Sequence, residues 1–248
     1  KNLLACDILP RAIRDVRCLG VLHEDKERKV LEIGTPMGVV AAILPTTNPT
    51  STAIYKTIIA LKAGNAIVIS PHPRAKRCTC ETVSILEQAA LQAGAPAGVI
   101  QCVGEATIEG TNELMRHKRT AVILSTGGSA IVRAAYSSGK PAFGVGPGNV
   151  PVLVDSSADV EAAVGAVLAG KTFDFGTLCS SEQTIVAEKS LKDRILAALR
   201  SRHAFLCDEA QGRALAKVLL TPAVGVTADC VGQPPEAIAR KAGVGVHQ

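Results

Sequence analysis

The sequence predicts an α/β protein with a mostly parallel β-sheet and helices on both faces of that sheet. Short β-branched apolar segments alternate with helix-length segments from residue 38 onward, and strands separated by such helices require crossover connections. The chain of 248 residues has four Phe, two Tyr and no Trp, so Ala, Val, Ile and Leu must fill its core. Such a core suits a parallel sheet that is buried on both faces.

The first half of the chain shows this alternation most clearly. The run GVVAAILP is a buried strand, and Thr50, Ser51 or Thr52 can cap the helix that follows it, which Gly64 ends. Prolines stop the next strand, and Gly94 ends the next helix. The predicted strands are 38–45, 66–71, 99–103, 121–125, 141–145 and 150–155. The further predicted helices are 74–93, about 108–115, and one that runs from the TGGS turn through residue 138.

The second half continues the pattern. It predicts a helix over 159–172, a strand within 181–188, and helices over 191–202 and 208–220. The glycine-rich segment FGVGPGN, residues 143–149, is the expected hinge between two domains, which we place at 1–148 and 149–248.

Composition argues against several classes of function. The net charge is +5, but the basic residues are scattered without interleaved aromatic residues, so we expect no nucleic-acid partner. No apolar run reaches the roughly 18–20 residues that span a bilayer, so we expect no membrane partner. The chain starts at Lys1 without a signal-peptide pattern, and we expect it to be a fragment of a longer protein.

The eight cysteines have no C-x-x-C pair and no Cys/His spacing typical of zinc, so we predict no metal site. The chain is not a short, cysteine-dense scaffold, which favours reduced, intracellular thiols that mostly pack as small apolar residues. Cys102, inside VIQCV, is the clearest example. For Cys179, inside GTLCSSEQ, four roles are open: nucleophile, metal ligand, disulfide partner or buried apolar residue.

Three predicted strand ends are rich in small polar residues, and ligands bind at the carboxyl ends of strands in open α/β sheets. These ends are LPTTNPTS (44–51), ISPHPR (69–74) and LSTGGSA (124–130). Thr126, Gly127 and Gly128 lead into a helix, whose N-terminus can bind a phosphate. A glycine-assisted turn explains this pattern equally well. His72, between two prolines, is either an acid–base group or a simple loop residue.

Together, these motifs and their order resemble the CoA-acylating branch of the aldehyde dehydrogenase superfamily. The matching segments are PTTNPTSTA, SPHPRAK, STGG, AAYSSGKPAFGVGPGN and KTFDFGTLCSSEQ. The resemblance implies a Rossmann-type, NAD- and CoA-binding domain over 1–148 and the start of an α/β catalytic domain over 149–248. It also implies that Cys179 is the nucleophile and that Asn48 donates a hydrogen bond to the oxyanion, although an Asn before a proline also forms turns.

The resemblance further implies which residues bind the cofactor. They are Pro45, Thr46, Thr47, Ser70, Pro71, His72, Thr126, Gly127, Gly128, Gly144, Val145 and Gly146. Hydrolytic members have a glutamate that activates water, and Gly144 or a neighbour occupies its place, with no carboxylate between Lys140 and Val154. Ser70 replaces the lysine that holds the adenosine ribose in those members, which implies a more loosely held nucleotide.

The function that we expect is reversible, NAD-dependent oxidation of acetaldehyde or propionaldehyde to acyl-CoA through a cysteine thioester. Two alternatives are a hydrolytic aldehyde dehydrogenase that releases the free acid, and a non-catalytic assembly domain with the same fold. We expect a homo-oligomer in the cytoplasm. A bacterial microcompartment and a fused aldehyde/alcohol dehydrogenase are further expectations from the resemblance.

Overall fold

The computed structural model describes residues 1–222 and 225–245 and divides the chain into two units, Lys1–Pro147 and Gly148–Gln248. Each unit has its own hydrophobic core. The predicted assignment of a cofactor-binding role to the first segment and a catalytic role to the second stays a prediction.

The first unit begins with a segment that the sequence pattern did not predict. A π-helical turn, Leu4–Ile8, and the short helix α1, Leu9–Ile13, precede an antiparallel hairpin of β1, Gly20–Asp25, and β2, Val30–Gly34. Both strands are exposed along nearly their whole length. Their residues therefore lack the alternation of apolar and polar side chains by which a half-buried strand is predicted.

The central sheet of the first unit has five strands, all parallel to their neighbours. They are β3 (Val39–Ile43), β4 (Ala66–Ser70), β5 (Ile100–Cys102), β6 (Thr120–Thr126) and β7 (Ala142–Val145). Their spatial order is β5-β4-β3-β6-β7. The chain thus builds outward from β3 in one direction and from β6 in the other, which places a topological switch point between β3 and β6.

Four helices connect these strands: α2 (Pro49–Lys62), α3 (Lys76–Gln92), α4 (Ile108–Arg116) and α5 (Ser129–Tyr136). A 3₁₀ turn, Pro73–Ala75, precedes α3. Asn48 is the N-cap of α2, and Pro49 is its first helical residue. The predicted caps at Thr50, Ser51 and Thr52 are therefore wrong, because proline fixes a helical φ at the first position and starts the helix earlier.

The core lies on both faces of the central sheet. Val40 and Ala42 of β3 belong to one apolar cluster, whereas Ala41 and Ile43 belong to another cluster with Ile123 of β6. Alternate residues of one strand thus pack on opposite faces, as expected for a parallel sheet covered by helices. Full burial of each Ile or Val side chain stabilises the fold by about 1.5–3 kcal/mol. The predicted α/β class and parallel sheet are confirmed.

The second unit has a two-stranded parallel sheet of β8 (Val150–Val154) and β9 (Glu182–Ala187). Its helices are α6 (Val160–Thr172), α7 (Lys192–Ser201), α8 (Glu209–Leu219) and α9 (Pro235–Lys241), of which α9 was not predicted. The Asp159 side chain caps α6 by accepting a hydrogen bond from the Ala162 N–H at 3.1 Å. Among the residues that the structure describes, no helix is both long enough and apolar enough to cross a bilayer.

Candidate active site

The carboxyl ends of the central strands bring the predicted ligand segments of the first unit to one edge of the sheet. Residues 45–48 follow β3, residues 70–72 end β4, residues 126–128 end β6, and residues 144–146 end β7. Because all five strands are parallel, these segments lie at the same edge in the order of their strands. The segments after β3 and β6 flank the switch point, where open α/β sheets bind ligands.

Asn48 lies at this edge, where β3 leads into α2. Its backbone carbonyl accepts hydrogen bonds from the Thr52 N–H at 3.1 Å and from the Thr52 hydroxyl at 2.7 Å. Its side-chain oxygen accepts a hydrogen bond from the Thr47 hydroxyl at 3.1 Å. The side-chain amide nitrogen has no acceptor among the described residues, so its two N–H groups remain free to donate. Thr46 and Thr47 are exposed beside it, whereas Pro45 is buried.

Lys56, which the sequence analysis did not single out, joins the two strands at the switch point. It lies on α2 and is 3% exposed. Its ammonium nitrogen donates hydrogen bonds to the carbonyl of Ile43 at 2.9 Å and to the carbonyl of Leu124 at 2.8 Å. Ile43 ends β3, and Leu124 lies near the end of β6. Burial lowers the pKa of Lys56 from 10.5 to about 7.

At the end of β4, two of the predicted cofactor-binding residues are buried and one is partly exposed. Ser70 is 1% exposed, and its hydroxyl lies 2.8 Å from that of Thr111 on α4. Pro71 is buried as well. The cofactor contacts of these two residues stay a prediction. His72 is partly exposed, and its Nδ1 accepts a hydrogen bond from the Arg74 N–H at 3.2 Å. Burial and then the charge of Arg74 lower the pKa of His72, which favours the neutral imidazole at neutral pH.

The end of β6 offers an open helix N-terminus. Gly128 is the N-cap of α5, no side chain caps this helix, and a Cβ at Gly128 would meet nothing within 4 Å. Gly127 is different, because a Cβ there would lie 2.7 Å from a methyl group of Ile131. One glycine therefore leaves the free N–H groups of α5 accessible, and the other permits the tight turn into the helix. Thr126 is partly exposed beside them.

The end of β7 packs against α5. The Gly144 N–H donates a hydrogen bond to the Tyr136 hydroxyl at 3.0 Å, and a Cβ at Gly144 would lie 2.6 Å from Val132. A glycine at this position is therefore required by helix packing, whether or not it also contacts a cofactor. Exposed Val145 and half-buried Gly146 follow. Gly146 also lines a groove of about 440 Å³ beside α5.

Cys179, in the second unit, is exposed on the loop before β9. This loop begins with three consecutive residues at positive φ: Asp174 at 52°, Phe175 at 53° and Gly176 at 68°. The left-handed region is unfavourable for residues other than glycine, and a bulky aromatic residue there is a genuine outlier. The Asp174 carboxylate accepts a hydrogen bond from the Thr177 hydroxyl at 2.6 Å, which holds the turn. Strain of this kind clusters at functional sites.

Gly148, which the sequence analysis passed over as part of the hinge, supports the cysteine loop. A Cβ at this position would lie 2.3 Å from the backbone carbonyl oxygen of Cys179, so only glycine permits the observed approach. The Cys179 N–H has no acceptor among the described residues. The loop therefore presents a sulfur and a free backbone donor on the same residue.

Cys179 lies between a 3₁₀ turn and a strand. The turn, Phe173–Gly176, ends before Cys179, and β9 follows it. Glu182 starts that strand, and its Oε2 is buried without a partner among the described residues. This carboxylate occupies the space above Gly170, where a Cβ would lie 2.2 Å from it.

The prediction that the other seven cysteines pack as small apolar residues is wrong for three of them, because Cys6, Cys78 and Cys207 are exposed. Cys230 is buried, and Cys102, the clearest predicted example, packs against the core of the first unit. Cys18 and Cys80 are partly exposed. A cysteine resembles a small apolar residue in a sequence pattern, so its exposure depends on the tertiary packing that surrounds it.

The fold and the loop define a class: an α/β protein with a parallel sheet and an open helix N-terminus at its carboxyl edge in one unit, and an exposed cysteine on a strained loop in the other. Residues 6–211 match the aldehyde dehydrogenase family. The chain belongs to this family, which confirms the resemblance seen in its motifs.

The relatives of this chain point to the acylating branch. It is 44% identical over its whole length to the bifunctional aldehyde-alcohol dehydrogenase AdhE of Escherichia coli K12, of which it spans 28%. An acetylating aldehyde dehydrogenase from Geobacillus thermoglucosidasius superposes with a TM-score of 0.94 at 46% identity, over 99% of this chain and 54% of that protein. A propionaldehyde dehydrogenase from Rhodopseudomonas palustris, with bound CoA and an acylated cysteine, gives a TM-score of 0.80 at 36% identity, over 86% and 49%.

Proposed function

We propose that the protein oxidises a short aldehyde with a nicotinamide nucleotide, holds the acyl group on Cys179 as a thioester and transfers it to CoA. The observation that carries this proposal is the Cys179 loop, with its exposed sulfur, its strained backbone and its free N–H. The acetylating and CoA-bound relatives support the acyl acceptor. The chain spans at most about half of these relatives, so the substrates and partners of the whole protein belong to the proposal.

The chemistry begins at Cys179. Its thiolate adds to the aldehyde carbonyl carbon, and the carbonyl oxygen becomes an oxyanion that needs hydrogen-bond donors. The Cys179 N–H is free to supply one of them. We assign a second donor to the side-chain amide of Asn48, which has no acceptor among the described residues. Loss of a hydride from the resulting hemithioacetal leaves a thioester on Cys179.

The sheet edge of the first unit fits a nucleotide. The open N-terminus of α5 provides free N–H groups for a phosphate, and Gly128 leaves room for its approach. We assign Thr46, Thr47, His72, Thr126, Gly127, Gly128, Val145 and Gly146 to this contact. When bound, the nicotinamide supplies the hydride acceptor for the reaction.

Release of the acyl group is assigned to the thiol of CoA. The segment between Lys140 and Val154 contains no carboxylate that could activate water. Water attack on the thioester is then expected to be slow, whereas a second thiolate can attack the carbonyl carbon and release the Cys179 thiolate. The hydrolytic alternative needs a base that this segment does not contain.

The proposal also specifies the substrate, the nucleotide, the reversibility of the reaction and the setting in which the protein acts. The substrate is acetaldehyde or propionaldehyde, the nucleotide is NAD, and the reaction is reversible. The protein acts as a cytoplasmic homo-oligomer, within a microcompartment or joined to an alcohol dehydrogenase as in the bifunctional relative.

The test is a substrate panel with the purified protein, aldehyde and NAD, with and without CoA. We expect sustained NADH formation only with CoA. Without CoA, peptide mass spectrometry should find the acyl group on Cys179. Rapid release of free acid without CoA would support the hydrolytic alternative, and the absence of both turnover and an acyl adduct would support an assembly domain. An acyl group on another side chain would overturn the assignment of the nucleophile.

A further inference from the structure

Two cysteines of the first unit, distant in sequence, lie in direct contact. Cys80 is in the second turn of α3, and Cys102 is the last residue of β5. Their sulfur atoms are 2.7 Å apart, although both thiols are free. A covalent S–S bond measures about 2.05 Å, so only a small movement of the two side chains separates this contact from a disulfide.

The two thiols differ in their surroundings. Cys80 lines an open groove of about 610 Å³, together with Pro73, Arg74, Lys76, Arg77 and Glu81. A small oxidant in solution can therefore reach its sulfur. Cys102 is not among the residues that line this groove, and burial, followed by its hydrogen bond with Cys80, raises its pKa to about 12. Its thiol thus stays protonated at neutral pH.

We propose that Cys80 and Cys102 form a redox modification site, in which a reversible disulfide links α3 to β5. The oxidant is a hydroperoxide. The Cys80 sulfur attacks its terminal oxygen and becomes a sulfenic acid, with release of water or an alcohol. The Cys102 thiol then attacks the Cys80 sulfur while its proton passes to the sulfenic hydroxyl group, which leaves as water. Two thiols lose two hydrogen atoms in total, and the peroxide bond is reduced. A dithiol reverses the reaction by thiol–disulfide exchange.

A disulfide between Cys80 and Cys102 would attach α3 to the edge strand of the central sheet. Cys102 ends the strand beside β4, and the Val103 N–H donates a hydrogen bond to the carbonyl of Ile69 at 2.8 Å. A link from Cys102 to α3 therefore anchors the helix to the edge strand next to the His72 segment. The oxidised chain should resist thermal unfolding better than the reduced chain, since a cross-link restricts the unfolded state. The site involves neither Cys179 nor the proposed reaction.

The test is peptide mapping of the native protein after treatment with hydrogen peroxide. Without a reducing agent, we expect two peptides linked through Cys80 and Cys102. Their combined mass should be two hydrogen atoms below the sum of the two free peptides. When only this pair reacts, the number of free thiols per chain should fall by two, and dithiothreitol should restore it. Cys80→Ser should abolish the linked peptide. Cys78→Ser is the matched control, because Cys78 lies on the same helix and its sulfur contacts the Ala75 carbonyl instead.

A second measurement does not depend on any variant. The unfolded protein, oxidised in the same way, should give mixed pairings among its eight cysteines. A strong preference for Cys80 with Cys102 that appears only in the native protein supports the site. The proposal would be overturned if the native and the unfolded protein gave the same distribution of cysteine pairings. It would also be overturned if Cys80 were oxidised to a sulfinic acid without any linked peptide.

Discussion

The sheet edge of the first unit and the cysteine loop of the second unit hold their proposed groups in different ways. At the sheet edge, hydrogen-bonded strands fix the chain, and Lys56 ties the ends of β3 and β6 together. The cysteine loop has no strand partners before β9, and it depends on positive φ angles and on the close approach of Gly148. The comparison teaches that substitutions at the edge remove single contacts, whereas substitutions around the loop should displace the sulfur that we propose as the nucleophile.

The largest effect is expected for Cys179→Ala. This change removes the sulfur to which the acyl group is proposed to bind, so CoA-dependent NADH formation should fall by at least about 10³-fold. Cys207→Ala, at another exposed cysteine of the same unit, should retain activity. Full activity of the Cys179→Ala variant would show that the loop has no chemical role.

The second-largest effect is expected for Asn48→Ala at the sheet edge of the first unit. Asn48→Ala removes the amide that we propose as an oxyanion donor, so kcat should fall by about 10²- to 10³-fold, the loss typical of such donors in enzymes. Thr50→Val, which removes a hydrogen bond from the same helix to the Asn2 side chain, should cost much less. Steady-state kinetics of both variants distinguish the two cases. A fall confined to KM would instead assign Asn48 to substrate binding.

Gly148→Ala tests whether the loop depends on backbone approach. The added Cβ would lie 2.3 Å from the Cys179 carbonyl oxygen, so the loop must shift. A displacement of about 1 Å can cost roughly 10²-fold in rate. Gly212→Ala is the control in the same unit, because nothing lies within 4 Å of its added Cβ. It is expected to leave kcat unchanged, and an equal loss in both variants would point to general destabilisation.

The sequence pattern predicted most elements of both units because the core strands and helices have strong periodicity. The pattern failed at the exposed hairpin of β1 and β2, where no buried face imposes an alternation. It also failed at α9, a helix of seven residues. Short or exposed elements are determined by tertiary contacts that a local pattern does not contain.

The candidate site was predictable only in part. Parallel topology brought the segments after β3, β4, β6 and β7 to one edge, as their positions at strand ends implied. Lys56 was missed because a lysine within a helix ordinarily faces water, and its carbonyl partners lie 13 and 68 residues away in sequence. The burial of Ser70 and Pro71 could not be predicted from the sequence, because it depends on helices that pack over the sheet. One signal for Lys56 was its position in an otherwise apolar and small-residue stretch of α2.

The smallest effect concerns stability, and it tests whether Lys56 ties the edge together. Lys56→Met keeps the apolar stem but leaves the carbonyls of Ile43 and Leu124 without this donor. The free energy of unfolding at neutral pH should fall by about 1–3 kcal/mol. Urea unfolding measures the change. An unchanged midpoint would show that other groups satisfy the two carbonyls.

The dependence of this effect on pH has a defined sign. The pKa of Lys56 is about 7 in the folded chain and near 10.5 when the side chain is exposed, so the unfolded chain binds more protons between these values. The free energy of unfolding of the wild type should therefore rise with pH in this window, by at most about 1.4 kcal/mol per unit. Below about pH 7 both states carry the charge and the contribution becomes flat. A neutral amine still has two N–H groups, enough for both carbonyls. The difference in unfolding free energy between the wild type and Lys56→Met should thus grow from about pH 6 to about pH 9. If this difference shrinks instead, the folded protein stabilises the ammonium form of Lys56.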